Sequence, residues 1–346
     1  MLDRVLSAAL LASLALGACA MAPAAPSPQQ ISSSVAAIYN GRANFHQGRK
    51  NVDQALENYD EAIRLDPKSA AAFEKRGTLH RDNGDIEQAI ADYNEAIRLE
   101  PNAGTFYRRG TAYTSLGDLE RGVADFTAAI RLDPTNAEIY GSRALAYRTL
   151  SQLDRAIADL SKAIQLNGLS TTYRVNRGAI YFENNELDKA LADYDEAIRI
   201  NPTFAFAFSN RGNVFERKGD IARAIAVYDK AIELDPKTAI HYYNRAITQF
   251  GQGNFQQAIA DYDRVLALEP RDFISLHNRG LSYYRLQDYD HAIADFDEAI
   301  RINPKFVRGY TARGNAYQAK GDMERALADF QEAARLMAPP AKVAGR

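Results

Sequence analysis

An all-α fold is predicted for this chain, an α-solenoid of about nine stacked helix-turn-helix repeats, on three observations. The stretch Ala-Ile-Arg-Leu-Asp-Pro at residues 62–67 returns with small changes as Ala96–Pro101, Ala129–Pro134, Ala197–Pro202, Ala231–Pro236, Val265–Pro270 and Ala299–Pro304. Successive prolines lie 34 residues apart, except for one step of 33 (Pro101 to Pro134) and one double step of 68 (Pro134 to Pro202), where Gly168 stands in the proline's place. A period of this size marks one supersecondary unit whose copies bury their apolar faces against one another. Within a copy, Phe73, Gly77 and His80 recur at helical spacing, Asn83-Gly84-Asp85 breaks the run, and Ile86, Ala89, Ile90, Tyr93, Ala96, Ile97 and Leu99 resume it, which makes each copy a helix pair.

The N-terminal residues 1–20, MLDRVLSAALLASLALGACA, carry Arg4, an apolar run from Val5 to Leu16 and small residues around Cys19. This is the layout of an export signal, too short to span a bilayer as a helix. Leu16-Gly17-Ala18-Cys19 resembles the lipobox of bacterial lipoproteins, in which the cysteine thiol is acylated and becomes the first residue of the mature chain. The resemblance implies a signal peptide over 1–18, lipidation of Cys19 and, with alanine in place of aspartate at position 20, the periplasmic face of the outer membrane. Cleavage after Ala20 by the ordinary signal peptidase is the alternative, and it releases a soluble periplasmic protein. Cys19 is the only cysteine of the chain and has no disulfide partner. Residues 19–35, rich in Pro, Ala and Ser, read as a semi-extended tether.

Aligned on the prolines, residues 36–338 form nine tandem repeats: 36–69, 70–102, 103–136, 137–170, 171–204, 205–238, 239–272, 273–306 and 307–338. Positions are numbered so that Pro67 is position 32 of the first. Glycine near position 15 (Gly84, Gly117, Gly219, Gly253, Gly321) closes helix A in the left-handed conformation. Aspartate at the next position (Asp85, Asp118, Asp220, Asp322) caps helix B, and the proline ends it. Small residues at positions 8, 20 and 27, such as Gly212, Ala224 and Ala231, let the helices approach, and aromatics at 24, such as Tyr93, Phe126, Tyr194 and Phe296, fill what remains. Around Asn167-Gly168-Leu169-Ser170 the joint lacks proline, and the softest or most sharply re-angled turn is expected there. Residues 339–346 are expected to form a disordered tail.

At these positions the pattern resembles the tetratricopeptide repeat, over the whole of 36–338, and more widely the outer-membrane tetratricopeptide lipoproteins of bacteria. The resemblance implies a right-handed superhelix whose concave face is lined by helix A, through positions 2, 5, 6, 9, 12 and 13. It implies a non-catalytic scaffold that binds a partner protein or an extended peptide, in cell-envelope assembly, secretion or cell-wall remodelling. Departures from the pattern are Arg174 and Leu276 at position 4, Leu160 at 24 and Gly122 at 20.

Position 7, usually leucine in that family, is arginine in all nine repeats: Arg42, Arg76, Arg109, Arg143, Arg177, Arg211, Arg245, Arg279 and Arg313. A guanidinium withdrawn from water needs an acceptor. Position 23 supplies Asp92, Asp125, Asp159, Asp193, Asp261, Asp295 and Asp329, so a ladder of Arg–Asp pairs between helices is expected. Asn58 and Val227 interrupt it, and their arginines need other acceptors.

Function is sought on helix A. In repeats five to eight, position 6 is Asn176, Asn210, Asn244 and Asn278, a row of carboxamides suited to pairing with the backbone of an extended peptide. Beside it lie Phe206, Ile240, Tyr243, His277, Phe182, Phe250 and Tyr284, with Ile247 and Leu281 at position 9, and these residues together form the candidate groove. The competing reading is that Asn-Arg-Gly is repeat consensus and that the aromatics pack internally. The formal net charge of −2 and the lack of a Lys/Arg block argue against nucleic acid. Five scattered histidines with no His-x-x-x-His pair, and no phosphate-binding or nucleophile motif, give no metal site, no cofactor and no singular catalytic constellation. A soluble ligand- or carbohydrate-binding module is the alternative class. Homo-oligomerisation through uncapped ends is a further expectation, raised by Ala333, Ala334, Leu336 and Met337.

Overall fold

The glycines that punctuate the sequence do what their lack of a Cβ allows. Gly84, Gly117, Gly219, Gly253 and Gly321 have φ of 93°, 82°, 79°, 77° and 86°. Where the repeat has no glycine, Ser151, Asn185 and Gln287 are forced into the same region at 58°, 59° and 64°. The next amide reaches five residues back, as Asp85 N–H to His80 C=O at 2.8 Å and Asp288 N–H to Tyr283 C=O at 2.9 Å, which satisfies carbonyls that the helix end leaves open.

The structure is a computed structural model that describes residues 27–48 and 51–337. Among the described residues there are eighteen helices and no strand. In chain order they are α1 (Pro28–Gly48), α2 (Val52–Leu65), α3 (Ala70–Asn83), α4 (Ile86–Leu99), α5 (Ala103–Ser115), α6 (Leu119–Leu132), α7 (Ala137–Thr149), α8 (Leu153–Leu166) and α9 (Thr171–Glu183). They continue as α10 (Leu187–Ile200), α11 (Ala205–Arg217), α12 (Ile221–Leu234), α13 (Ala239–Gly251), α14 (Phe255–Leu268), α15 (Phe273–Arg285), α16 (Tyr289–Ile302), α17 (Val307–Ala319) and α18 (Met323–Met337). Two compact blocks divide the chain, one reaching Leu116 and one beginning at Gly117. In the first, α1 pairs with α2 and α3 with α4, and each second helix leans on the helix that follows. In the second, α6 precedes six pairs from α7/α8 to α17/α18, joined in the same way. The predicted solenoid of helix pairs is therefore present in both blocks.

The signal peptide, Cys19, the first part of the tether and the tail lie outside the described residues. The tether's later part differs from expectation: residues 28–35 are helical. Proline is well placed at the first helical position, and the Ser32 hydroxyl donates to the Leu65 carbonyl at 2.7 Å, tying this extra length of helix to the end of α2. Aspartate capping holds at Asp118, Asp220 and Asp322, which accept from the amides of Arg121, Arg223 and Arg325 at 3.2, 3.1 and 3.1 Å. Asp85 caps nothing with its side chain and takes the Asn83 amide instead. The joint at Gly168 is not re-angled. Asn167 has φ −130° and ψ 83°, against −134° and 82° at Asp66, because the same backbone bond, Asn167 N–H to Ala163 C=O at 2.8 Å and Asp66 N–H to Ala62 C=O at 2.9 Å, shapes the turn whether or not proline follows.

Core packing follows the small-residue positions. A Cβ on Gly178 would stand 2.7 Å from the Tyr194 ring, and one on Gly280 would stand 2.7 Å from Phe296. The aromatics at position 24 are buried from Tyr59 to Phe296, each contributing about 1.5–3 kcal/mol by leaving water.

The arginine ladder exists, with more contacts than its sequence pairing suggests. Arg76, Arg143, Arg177, Arg245, Arg279 and Arg313 each grip the aspartate sixteen residues ahead through two nitrogens, at 2.6–2.9 Å. The third nitrogen reaches sixteen residues back, to helix B of the preceding repeat: Asp60, Thr127, Ser161, Asp229, Asp263 and Asp297. Each guanidinium thus staples its own helix pair and the joint behind it. Arg109 reaches back to Asn94 at 2.7 Å. With Val227 ahead of it, Arg211 keeps only its backward contact, Asp195 at 2.7 Å, and its Nε is buried without a partner. Arg42, opposite Asn58, lies over the Tyr39 ring at 5.4 Å.

Candidate binding face

Helices α9, α11, α13, α15 and α17 are the A helices of the last five repeats, and α11 packs on both α9 and α13 while α15 packs on α17. A side chain at position 2, 5, 6 or 9 of one such helix therefore faces its counterpart on the next. The predicted groove residues separate into three groups on this surface. Phe206 and Ile240 are exposed, each 44 %, and Ile247 is 39 % exposed. Asn176, Phe182, Asn210, Tyr243, Asn244, Phe250, Asn278 and Tyr284 are half-buried. His277 is buried, its ring edge-on to Phe306 at 5.1 Å and tilted against Phe296 at 5.6 Å.

The asparagine row is correspondingly uneven. Asn244 donates to the Ser209 hydroxyl at 3.2 Å, and Asn278 donates to the Tyr243 hydroxyl at 3.3 Å, each crossing to the A helix of the preceding repeat. Asn176 and Asn210 make no hydrogen bond among the described residues. Of the four carboxamides in the row, two therefore brace the stack and two are left without such a bond. The reason is position 5, where Ser209 and Tyr243 present a hydroxyl to the carboxamide of the next helix. Several aromatics are likewise tied down, Tyr243 edge-on to Tyr262 at 6.1 Å and Phe250 edge-on to Phe255 at 5.4 Å, Tyr284 tilted against Tyr289 at 5.5 Å and Phe182 under Arg217 at 4.5 Å.

Three cavities open on the A helices of repeats seven to nine. One of about 300 Å³ is lined by Ile240, Tyr243, Val265 and Ile274 with the acids Glu269 and Asp272. A second, about 210 Å³, lies among Ile247, Phe250, Tyr262, Asn278 and Leu281. The third, about 240 Å³, is bounded by His277, Leu281, Tyr284, Arg308, Thr311 and Asn315. Leu281 is common to the last two, and Tyr243 of the first touches Tyr262 and Asn278 of the second, so the three run on from one another.

Burial sets the protonation of this face. It pushes His277 down to about 4, helped by the charge of Arg308, and pushes His241 down as well. The Tyr243 and Tyr262 hydroxyls are pushed up by burial, so both stay neutral. Both ring nitrogens of His241 and Nδ1 of His277 have no hydrogen-bond partner among the described residues. The lining of the central cavity is therefore apolar and uncharged, with Glu269 and Asp272 in the lining on one side, Arg308 on the other and the Arg285 guanidinium over the Phe250 ring at 5.8 Å.

Sequence reasoning missed Arg308, Thr311, Asn315, Glu269 and Asp272. Arg308 and Asn315 sit at positions 2 and 9 of the ninth repeat, in the same register as Ile240 and Ile247, and continuing that register past the end of the asparagine run would have found them. Glu269 lies on an inter-repeat turn, where helix periodicity carries no signal.

Models of the "TPR repeat" match residues 110–150 and 178–219, and models of the "tetratricopeptide repeat" match 40–104, 209–273 and 243–305, and 137–168 and 307–336. Among solved structures, a tetratricopeptide repeat protein from Parabacteroides merdae is similar at 23 % identity, covering 69 % of this chain and 94 % of its own, with a TM-score of 0.53. The C-terminal part of a TPR repeat-containing protein from Cytophaga hutchinsonii gives 18 %, 68 %, 97 % and 0.56, and PilF of Pseudomonas aeruginosa gives 19 %, 63 %, 97 % and 0.52. At these identities the likeness is one of fold. No curated protein sequence is similar enough to the chain to match it.

Proposed function

Because the chain belongs to the tetratricopeptide-repeat family, a family of protein-interaction scaffolds, we propose that it binds a partner protein through an extended segment laid along the A helices of repeats six to nine. The observation that carries this reading is the run of three connected cavities, two of them lined by the exposed Ile240 and Ile247, with the exposed Phe206 one repeat further along. Apolar side chains left in water on a surface with room for other side chains gain free energy when a partner covers them, at about 25 cal/mol per Å². The role is non-catalytic: the face offers shape, carboxamides and neutral hydroxyls, and its buried histidines have no carboxylate to orient them.

The scaffold is anchored at the periplasmic face of the outer membrane through acylated Cys19, in the wider setting of cell-envelope assembly, secretion or cell-wall remodelling. Metabolic labelling with an alkyne fatty acid tests the anchor. Wild type takes up label and a Cys19→Ser variant does not, whereas label-free wild-type protein in the soluble fraction would give way to the soluble periplasmic reading. For the groove, affinity capture compares wild type with Phe206→Ser/Ile240→Ser/Ile247→Ser. A partner held equally by both sinks the reading.

A second reading, self-association, has its own observation. Helix α18 exposes Met323 (59 %), Leu327 (57 %) and Met337 (66 %). Light scattering on wild type beside Leu327→Lys decides it, since a mass that equals one chain in both excludes assembly through this face.

A further inference from the structure

The connected cavities end in opposite charges. At the repeat-seven end, Glu269 is exposed beside Ile240 and Tyr243 and makes no ion pair among the described residues, while Asp272 next to it is spent on capping α15 and on the Ser275 hydroxyl. At the repeat-nine end, Arg308 is exposed beside Leu281 and Tyr284 and has neither an ion pair nor a hydrogen bond among the described residues. This is unusual in a chain whose other arginines are mostly paired. Between the two rims the lining is Ile247, Phe250, Tyr262 and Leu281, with the Asn278 carboxamide among them.

We propose that this face selects an extended peptide with a basic residue at one end, beside Glu269, apolar side chains in the middle and an acidic residue at the other end, beside Arg308. The inference rests on the groove reading above and adds its polarity. The cavity beside Glu269 lies between α13 and α15 and the one beside Arg308 between α15 and α17, so the charged rims stand one to two helix spacings of about 10 Å apart, a span that about three to six residues of extended chain at roughly 3.3 Å each cover. The peptide's central side chains enter the apolar cavities. Its acid neutralises Arg308 above His277, whose buried Nδ1 is without a partner and gains one when a peptide group enters the cavity. Carboxamides both donate and accept, so Asn278 and Asn315, which line the cavities, serve a backbone of either direction, and the rim charges decide which end lies where.

The test uses the full chain and four fluorescein-labelled heptapeptides, capped at both termini, in anisotropy titrations at low salt. The matched probe is Lys-Ala-Leu-Ala-Phe-Ala-Glu; the others carry lysine at both ends, glutamate at both ends or alanine at both ends. The matched probe should bind about tenfold more tightly than either like-charged probe, with the margin shrinking as salt rises. Arg308→Glu should move the preference to the two-lysine probe, and Glu269→Lys should move it to the two-glutamate probe. Both residues are exposed and neither substitution touches the core, so circular dichroism should be unchanged. Equal binding of all four probes, lost in Ile240→Ser, would overturn the polarity and leave the groove standing. Binding by none of them would overturn both, and a probe-independent rise in mass would assign the face to a second copy of this chain.

Discussion

Arg245 allows the two halves of the ladder to be weighed against each other. It gives Nε and one Nη to Asp261 at 2.8 and 2.6 Å and the other Nη to Asp229 at 2.5 Å. The Asp261 side chain is 7 % exposed and that of Asp229 is 54 % exposed, and Asp261's hydrogen bonds, outweighing the cost of burial, hold the guanidinium above its ordinary value. Changing either aspartate to asparagine removes the same charge and keeps the shape. Breaking a buried pair costs about 3–5 kcal/mol because the remaining ion stays out of water; asparagine still accepts one bond, so about 2–4 kcal/mol is expected for Asp261→Asn. Asp229→Asn should cost less than about 1 kcal/mol. A solenoid need not unfold in one step, so the measurement is native-state hydrogen exchange of the α13 and α14 amides rather than a single melting curve. Asp261→Asn should speed their exchange by roughly 30- to 1,000-fold and Asp229→Asn by less than about fivefold. Comparable acceleration by the two substitutions would refute the claim that the within-repeat bond holds the helix pair together.

Two further outcomes follow from the same structure. The folded-state value of about 4 for His277 lies below the ordinary 6.5, so the unfolded chain takes up the proton first as pH falls. The stability this group contributes is complete above about pH 6.5 and is lost as pH drops towards 4, at about 1.4 kcal/mol per unit and about 3 kcal/mol in all. In His277→Phe, which keeps the ring contacts with Phe296 and Phe306, urea titrations should show that part of the acid slope removed; an unchanged slope between pH 6.5 and 4.5 would count against a buried neutral imidazole. At the A–B turns, Gln287 holds φ at 64°, so Gln287→Gly should stabilise by about 0.5–1 kcal/mol, while Gly253→Ala, at φ 77° and with open space around its Cβ, should destabilise by about 1–2 kcal/mol through backbone conformation alone. Hydrogen exchange of the amides in the flanking helices moving the same way in both variants would contradict this.

Much of the architecture was legible because it is local. Glycine at the A–B turn, proline after helix B and small residues opposite an aromatic act over a few bonds, and repetition made each signal visible many times. The pairing of Arg177 with Asp193 was readable for the same reason, since the two recur together in six described pairs sixteen residues apart. The backward bond from Arg177 to Ser161 was not, because position 25 varies among aspartate, asparagine, serine and threonine over the first eight repeats, and only the stacking of repeats brings it within reach. Gly168 read as a re-angled joint because proline was treated as the cause of the turn, whereas the backbone hydrogen bond from Asn167 to Ala163 is kept without it.

The candidate face shows the boundary most clearly. Sequence alone determined that the chain repeats, where, after the first helix, the turns between helices fall, and that Phe206, Ile240 and the asparagine row share one side of helix A. Tertiary structure decided which of those side chains are open to a partner. It buried His277 between two phenylalanines, gave Asn244 and Asn278 hydroxyls to hold, and brought Glu269 and Arg308 to the ends of a common run of cavities. The physical reason is range: helix and turn preferences are set by neighbours in the chain, whereas exposure and charge pairing are set by whatever the next repeat places a few ångströms away.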